Sequence, residues 1–489
     1  MGGRFFYRSS KLLGRALGRL HLARCGITSI PKRHMAEEMI SKDPFRGVVI
    51  KRYPLHSLAE ARQALVLNQK AQLVLANWTI QQRSKSLYRL ASLLEDQVEK
   101  LALQISAEMG KVITEARAEV KKCAWVCRYY AENAAAFLAE RPVPTEAHRA
   151  WVRFDPLGSI LAIMPWNFPA WQFFRLAAPA LATGNGLLLK HAPNVQGTAE
   201  SIAPLAEQAG FPRGIVQNLR ITPEDIASLM AEPGIKAVSL TGSVGAGRAV
   251  AAAAGKQLKK TVMELGGSNA FVILPSAPWE RSVELAVKSR MQNNGQSCIA
   301  AKRFLVPAER ELDFARDLRK ALQAYRVEDP RQQASLLGPL ARPDLAENLA
   351  DQVERAQQAG AEKFWGEAVQ DCAFPPHILT GVGQGNPAFE EELFGPVFAL
   401  CPYRSIEEAF ALSQANAFGL GLTVMSGDPE KEVVPHLGRF ADGAVFINAL
   451  VKSDPRLPFG GTKNSGYGRE LSLEGMREFV NVKTVYWEA

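Results

Sequence analysis

Lys236-Ala-Val-Ser-Leu-Thr-Gly242-Ser243-Val-Gly245-Ala-Gly247 runs from a short apolar strand into a glycine turn and an alanine-rich helix. Thr261-Val-Met-Glu264-Leu265 then returns as a second strand. A strand, a tight turn and a helix leading back to another strand form the unit of a parallel sheet covered by helices. Upstream, residues 160–163 read as a buried strand, 187–190 as a short one and 198–208 as a helix. From about 57 to 136 the pattern is helical, with Leu87, Leu90, Leu94, Val98, Leu101 and Ile105 at three and four spacing. Downstream the alternation restarts: strand 269–274, helix 282–293, strand 303–306, helix 312–325, helix 406–414 and strand 444–448. The expected fold class is α/β with two domains. Val480–Trp487 alternates in β fashion and is expected to pair with another strand or another subunit.

The chain has 489 residues, 47% hydrophobic and 22% charged, enough for a large core. Its net charge of +9 is local: residues 1–34 carry eight Lys and Arg and no acid, so the remainder is close to neutral. Bulk charge therefore argues against nucleic acid or membrane as partners. The basic segment reads either as a transit peptide, which would direct the protein to the mitochondrial matrix, or as an extension upstream of a start at Met35. Without such targeting the expected location is cytoplasmic. Residues 156–174 carry no charge up to Phe174, but Pro165, Asn167, Pro169 and Gln172 prevent a membrane helix. Six cysteines in so long a chain are no disulfide framework, and Cys123 and Cys127, one helical turn apart, read as core residues rather than metal ligands. No metal is expected.

Three features carry chemistry. The turn at Gly242 and Ser243 exposes backbone N–H groups at a helix start, where an anion is favoured, although it is not the usual dinucleotide fingerprint. Asn293-Asn-Gly295-Gln-Ser-Cys298 sets a thiol after a glycine loop; near a helix start its pKa would fall and the thiolate become available. Taken alone, such a cysteine reads more readily as a buried inert thiol. Glu264, in an apolar strand before Gly266-Gly267, is an odd carboxylate to bury, and a raised pKa would suit it as a general base.

Together these stretches resemble the aldehyde dehydrogenase superfamily, from about residue 40 to 489. The matching motifs are Pro165-Trp166-Asn167-Phe-Pro169, Leu189-Lys190, Thr241-Gly242-Ser243, Glu264-Leu265-Gly-Gly-Ser268, Gly295-Gln-Ser-Cys298, Glu391-Glu392-Leu-Phe394-Gly-Pro-Val397 and Pro458-Phe-Gly-Gly-Thr-Lys-Asn-Ser-Gly466. The resemblance implies a Rossmann-like NAD(P)-binding domain (38–128 and 148–266), a catalytic domain (267–455) and a small β oligomerisation arm (129–147 and 479–489), in a homodimer or homotetramer. It implies Cys298 as nucleophile, Asn167 and the Cys298 backbone N–H as oxyanion donors, and Glu264 as the base that activates water. Lys190 and Glu392 would hold the cofactor riboses and Ser243 the pyrophosphate, near the Gly242 turn. Trp166, Leu265 and Phe394 would complete the cofactor site.

Within the superfamily the chain looks most like the bacterial succinate-semialdehyde dehydrogenases. Arg175 matches an Arg that binds the distal carboxylate of the substrate there, and Ser453 a carboxylate-contacting Ser; the other reading of Arg175 is a pair with a structural acid. Some members carry an Arg at the place of Gln292 and a second Cys at Ala300, so broader aldehyde tolerance is expected and a disulfide switch through that position is not. The retained Glu264 favours hydrolysis over transfer to coenzyme A, and retention of Cys298, Glu264 and Asn167 argues against a non-catalytic relative. A thiol hydrolase using Cys298 with a histidine lacks any recognisable histidine motif. Many NAD-preferring members have Glu where this chain has Pro193, and His191 is the only basic addition nearby; the expected cofactor is NAD, with NADP tolerated.

Overall fold

The computed structural model describes residues 38–488. A six-stranded sheet runs in the order Gly466–Tyr467, Lys260–Glu264, Ile235–Thr241, Ser159–Met164, Gly186–His191, Val216–Asn218. All neighbours are parallel except the short Gly466–Tyr467 edge, which runs antiparallel to Lys260–Glu264. In chain order the parallel strands start with Ser159–Met164 and grow outward, first to one side and then to the other. The order therefore reverses between Ser159–Met164 and Ile235–Thr241, and the crevice at the carboxyl ends of these two strands is where an open α/β sheet binds ligands. Pro165-Trp166-Asn167 and Gly242-Ser243 leave those two ends.

A second sheet has seven strands in the order Glu362–Trp365, His377–Thr380, Val397–Tyr403, Ala301–Pro307, Asn269–Ile273, Leu422–Met425, Val445–Ile447. Only the first pair is antiparallel. The double glycine after Lys260–Glu264 joins the two sheets, so Glu264 ends one and Asn269 begins the other.

Four helices precede the first sheet. Leu58–Ala76 and Ile80–Asp96 each start in a capping box, Ser57 with Glu60 and Thr79 with Gln82. Leu87, Leu90, Leu94, Leu101 and Ile105 are buried as their spacing requires, and Val98 packs partly buried against them. Ile113–Phe137 runs unbroken past residue 128, because Tyr130, Ala131 and Ala134 continue its buried face. Residues 198–208 form two helices, Gln196–Ile202 and Leu205–Gln208, since Pro204 between them has no N–H to donate.

Val480–Trp487 finds its partner within the chain. It pairs antiparallel with Arg149–Pro156, from Val480 opposite Pro156 to Trp487 opposite Arg149, and Arg141–Pro142 adds a third strand. Val482, Tyr486 and Trp487 stand exposed on this small sheet. Among the described residues no helix is long and apolar enough to cross a membrane.

Candidate active site

Cys298 lies half-buried in a cavity of about 220 Å³ that it shares with Glu119, Lys122, Trp171, Arg175, Ser453 and Phe459. A larger cavity, about 780 Å³, is lined by Asn194, Arg342 and Cys372 among others and holds none of the expected catalytic groups. The smaller one holds the thiol expected to react.

The loop before Cys298 is held from several sides. Asn293 and Asn294 adopt positive φ (54° and 55°), a conformation that Asn tolerates better than other side-chain-bearing residues. Asn294 Nδ2 donates to the carbonyls of Gly110 (2.8 Å) and Pro339 (3.1 Å). Asn293 Nδ2 donates to the carbonyls of Asn167 (2.8 Å) and Gln296 (2.9 Å). The Asn167 amide itself donates to Gln296 O at 3.1 Å and stays buried. One of its two N–H groups is thereby fixed, and the second is oriented by that bond.

The thiol departs from expectation. No helix follows Cys298; the next element is the strand Ala301–Pro307, so no helix dipole is available. Burial pushes the Cys298 thiol up to about 11, against the pull of Lys302 and Arg175. Roughly one molecule in ten thousand would then carry the thiolate at pH 7. Alkylation of Cys298 by iodoacetamide, followed by peptide mapping, is expected to accelerate about tenfold per pH unit between about pH 7 and 10. A rate already level below pH 8 would contradict this.

Glu264 ends its strand with Oε1 buried and without a hydrogen-bond partner. Burial, then the charge of Glu470, raises its pKa well above the ordinary carboxylate range, and Arg175 and Arg469 oppose the rise. Its charge is also felt at the Cys298 thiol. Glycines 266 and 267 allow the approach: a Cβ on Gly267 would stand 2.8 Å from the Cys298 carbonyl oxygen, and one on Gly266 2.3 Å from Glu392 Oε2.

Arg175 lines the cavity and is buried. Its guanidinium pairs with the equally buried Glu470, reaches Thr241 Oγ1 at 3.3 Å and sits 4.6 Å from the Phe459 ring centre. The alternative of a structural acid partner is thus the one observed. Ser453 also lines the cavity, and its Oγ accepts from Lys122 Nζ at 2.7 Å.

The residues expected to hold the dinucleotide lie at the crevice. Ser243 caps the helix Val244–Lys256, accepting from Ala246 N at 3.3 Å, and is exposed. A Cβ on the neighbouring Gly245 would meet nothing within 4 Å, so the 13-residue helix presents an open N-terminus to an anion. Gly247 packs against Leu265, where a Cβ would come within 2.5 Å. Lys190 is the penultimate residue of a buried strand, its pKa lowered by burial, and Pro193 beyond it is exposed. Trp166 and Phe394 meet edge to face at 5.7 Å. Glu392 accepts from Gly267 N at 3.0 Å and pairs with Lys302 at 3.3 Å. These residues fit a dinucleotide: an open helix start for phosphates, a carboxylate and a lysine for hydroxyls, and a pair of aromatic rings in mutual contact. His191 takes no part, because it is fully buried between Pro169 O and Ala192 N, and burial pushes it down to about 4.

Four groups were not singled out from the sequence. Lys302 Nζ donates to the carbonyls of Ser297 (2.7 Å) and Cys298 (2.8 Å), tying the thiol loop to Glu392. Arg290 donates to Gly295 O, Ala301 O and Leu393 O, fastening that loop to the segment of Glu392 and Phe394. Glu119 accepts from Ala170 N and Trp171 N, both at 2.9 Å, and pairs with Lys111. Lys122 shares the cavity-lining face of its helix with Glu115, Ala118 and Glu119. The i, i+3, i+4, i+7 spacing of these four was a readable signal; the partners of Lys302 and Arg290 were not, being backbone carbonyls.

Comparison with known proteins identifies the family. Residues 31–485 match the model of the aldehyde dehydrogenase family. A relative from a Synechocystis species, named a probable succinate-semialdehyde dehydrogenase [NADP(+)], is 45% identical over 447 residues, 91% of this chain and 98% of the relative. A Mycobacterium bovis protein named succinate-semialdehyde dehydrogenase [NADP(+)] 1 is 44% identical over 83% of this chain and 90% of its own length. The crystal structure of succinic semialdehyde dehydrogenase from Streptococcus pyogenes in complex with NADP+ superposes with a TM-score of 0.89 at 34% identity, over 92% of this chain and all (100%) of that one.

Proposed function

The chain belongs to the aldehyde dehydrogenase family, and from that membership we propose that it oxidises succinate semialdehyde to succinate through a thioester on Cys298. It is an NAD(P)-dependent aldehyde dehydrogenase. The observation that carries the reading is one small cavity in which the Cys298 thiol, Lys122, Arg175 and Ser453 converge, with Asn167 braced against the same loop.

In this reading the Cys298 sulfur, as thiolate, adds to the aldehyde carbon. The oxyanion that forms is met by the free N–H of the Asn167 amide and the Cys298 backbone N–H. Lys190, Ser243, Glu392, Trp166, Leu265 and Phe394 would hold the dinucleotide, which when bound would supply the acceptor for the hydride that leaves this carbon. Loss of hydride leaves the carbon as a thioester. Glu264 then takes a proton from water as its oxygen attacks that carbon, and the Cys298 thiolate departs with the carbon–sulfur bond broken. The distal carboxylate of the substrate lies toward Ser453 and Arg175. A charge-assisted contact is worth roughly 1.5–3 kcal/mol, so kcat/KM for succinate semialdehyde should exceed that for butanal by about 10- to 100-fold. Equal values, measured by cofactor reduction, would leave a broad-specificity aldehyde dehydrogenase instead.

The exposed Pro193 beside Lys190 leaves no carboxylate at that point to repel a 2′-phosphate, which supports use of NADP as well as NAD; the NADP(+) in the relatives' names points the same way. Pro193→Glu is expected to lower kcat/KM for NADP by about tenfold or more relative to NAD, through like-charge repulsion. An unchanged NADP/NAD ratio would remove this position from cofactor choice. The exposed Val482, Tyr486 and Trp487 on the terminal sheet support association into a homodimer or homotetramer.

A further inference from the structure

We propose that Lys122 is the residue that receives the distal carboxylate of the substrate, with Ser453 as its partner. This rests on the succinate-semialdehyde reading of the same cavity. Lys122 sits on the helix Ile113–Phe137, and Glu115, Ala118, Glu119 and Lys122 line the cavity from one face of it. The Lys122 ammonium donates to Ser453 Oγ at 2.7 Å and lies 4.1 Å from the centre of the Trp171 ring.

The other charged groups lining the cavity or flanking it are already engaged. Arg175 pairs with Glu470 and Glu119 with Lys111, while Asp454 pairs with Arg456 and, at 3.8 Å, with the exposed Lys452. Glu115 accepts from Asn293 N at 2.8 Å, and burial raises it to about 6. Among the described residues no carboxylate lies within ion-pair distance of Lys122. A half-buried ammonium with a hydroxyl and an aromatic ring but no counter-ion is incompletely compensated. Burial, then the charge of Arg175, lowers it to about 8, against weaker pulls from Cys123, Asp454 and Glu119. An incoming carboxylate supplies the missing charge, and the cavity joins that point to the Cys298 thiol.

The test compares kcat/KM for succinate semialdehyde and butanal in the wild-type enzyme, Lys122→Met and Lys122→Arg. The ratio of the two should fall about 10- to 100-fold in Lys122→Met and be partly restored in Lys122→Arg. An unchanged ratio, or an equal loss on both aldehydes, would overturn the proposal. A wild-type enzyme without preference for succinate semialdehyde would instead overturn the substrate reading on which it rests. Should Lys122→Met fail to fold, succinate as a competitive inhibitor of wild-type butanal oxidation gives the answer. Below about pH 8 Lys122 is charged and succinate should bind; above it the inhibition constant should rise about tenfold per pH unit. A constant that stays flat to about pH 9.5 would contradict the assignment.

Discussion

Cys298→Ser is expected to abolish aldehyde oxidation, with a loss in kcat of about 10⁴-fold or more while the cofactor still binds. Sulfur is a far better nucleophile than a serine hydroxyl, and nothing in the cavity is placed to make an alkoxide: the nearest cations, Lys302 and Arg175, are committed to backbone carbonyls and Glu470. The other thiols described, Cys123, Cys127, Cys372 and Cys401, are buried, so none can replace it. Quenching of Trp166 fluorescence on titration with NADP offers the control for cofactor binding. Residual oxidation within about tenfold of wild type would mean that the thiol is not the nucleophile.

Glu264→Gln is expected to separate the two halves of the reaction. Cofactor reduction in a single burst should remain, while steady-state turnover falls by about 10²- to 10⁴-fold, the range of general-base contributions. The amide preserves the volume of a group packed against Gly460, so misfolding is not the anticipated cause. The pH dependence has a definite sign. Glu264 acts as a base only when ionised, and its raised pKa means that the ionised form gains population as pH rises. Wild-type hydrolysis should therefore accelerate toward alkaline pH, in the same direction as thiolate formation at Cys298. The variant should lose the hydrolytic part of that profile and keep the part that follows the burst. Loss of burst and turnover together would contradict the separation.

Much of the architecture was readable because its units are local. The run from Lys236 to Leu265 contains a whole strand–turn–helix–strand unit, and the short strands end at glycines and prolines visible in the chain. Pro204, which divides the helix expected over 198–208, was equally visible. The continuation of Ile113–Phe137 beyond residue 128 follows from the alanines at 134–136, whose helix propensity is the highest available. What could not be read were the partners. Arg175 and Glu470 are almost three hundred residues apart, and no local pattern announces that this guanidinium is already neutralised. The Cys298 environment differs from expectation for a related reason. The loop suggested a helix start, whereas a central strand of the second sheet follows, and burial raises the thiol that a helix dipole would have lowered. The first difference is the ground for proposing Lys122 in substrate recognition, and the second leaves thiolate formation as a task of the assembled site.

The central claim, a thioester on Cys298 hydrolysed with Glu264 as base, is tested most directly by mass. Glu264→Gln would be incubated with succinate semialdehyde and NADP, quenched in acid and mapped by peptide. The account predicts the mass of one succinyl group on the peptide that carries Cys298, and its absence in Cys298→Ala. Full turnover with no adduct, or an adduct on another residue, would contradict it.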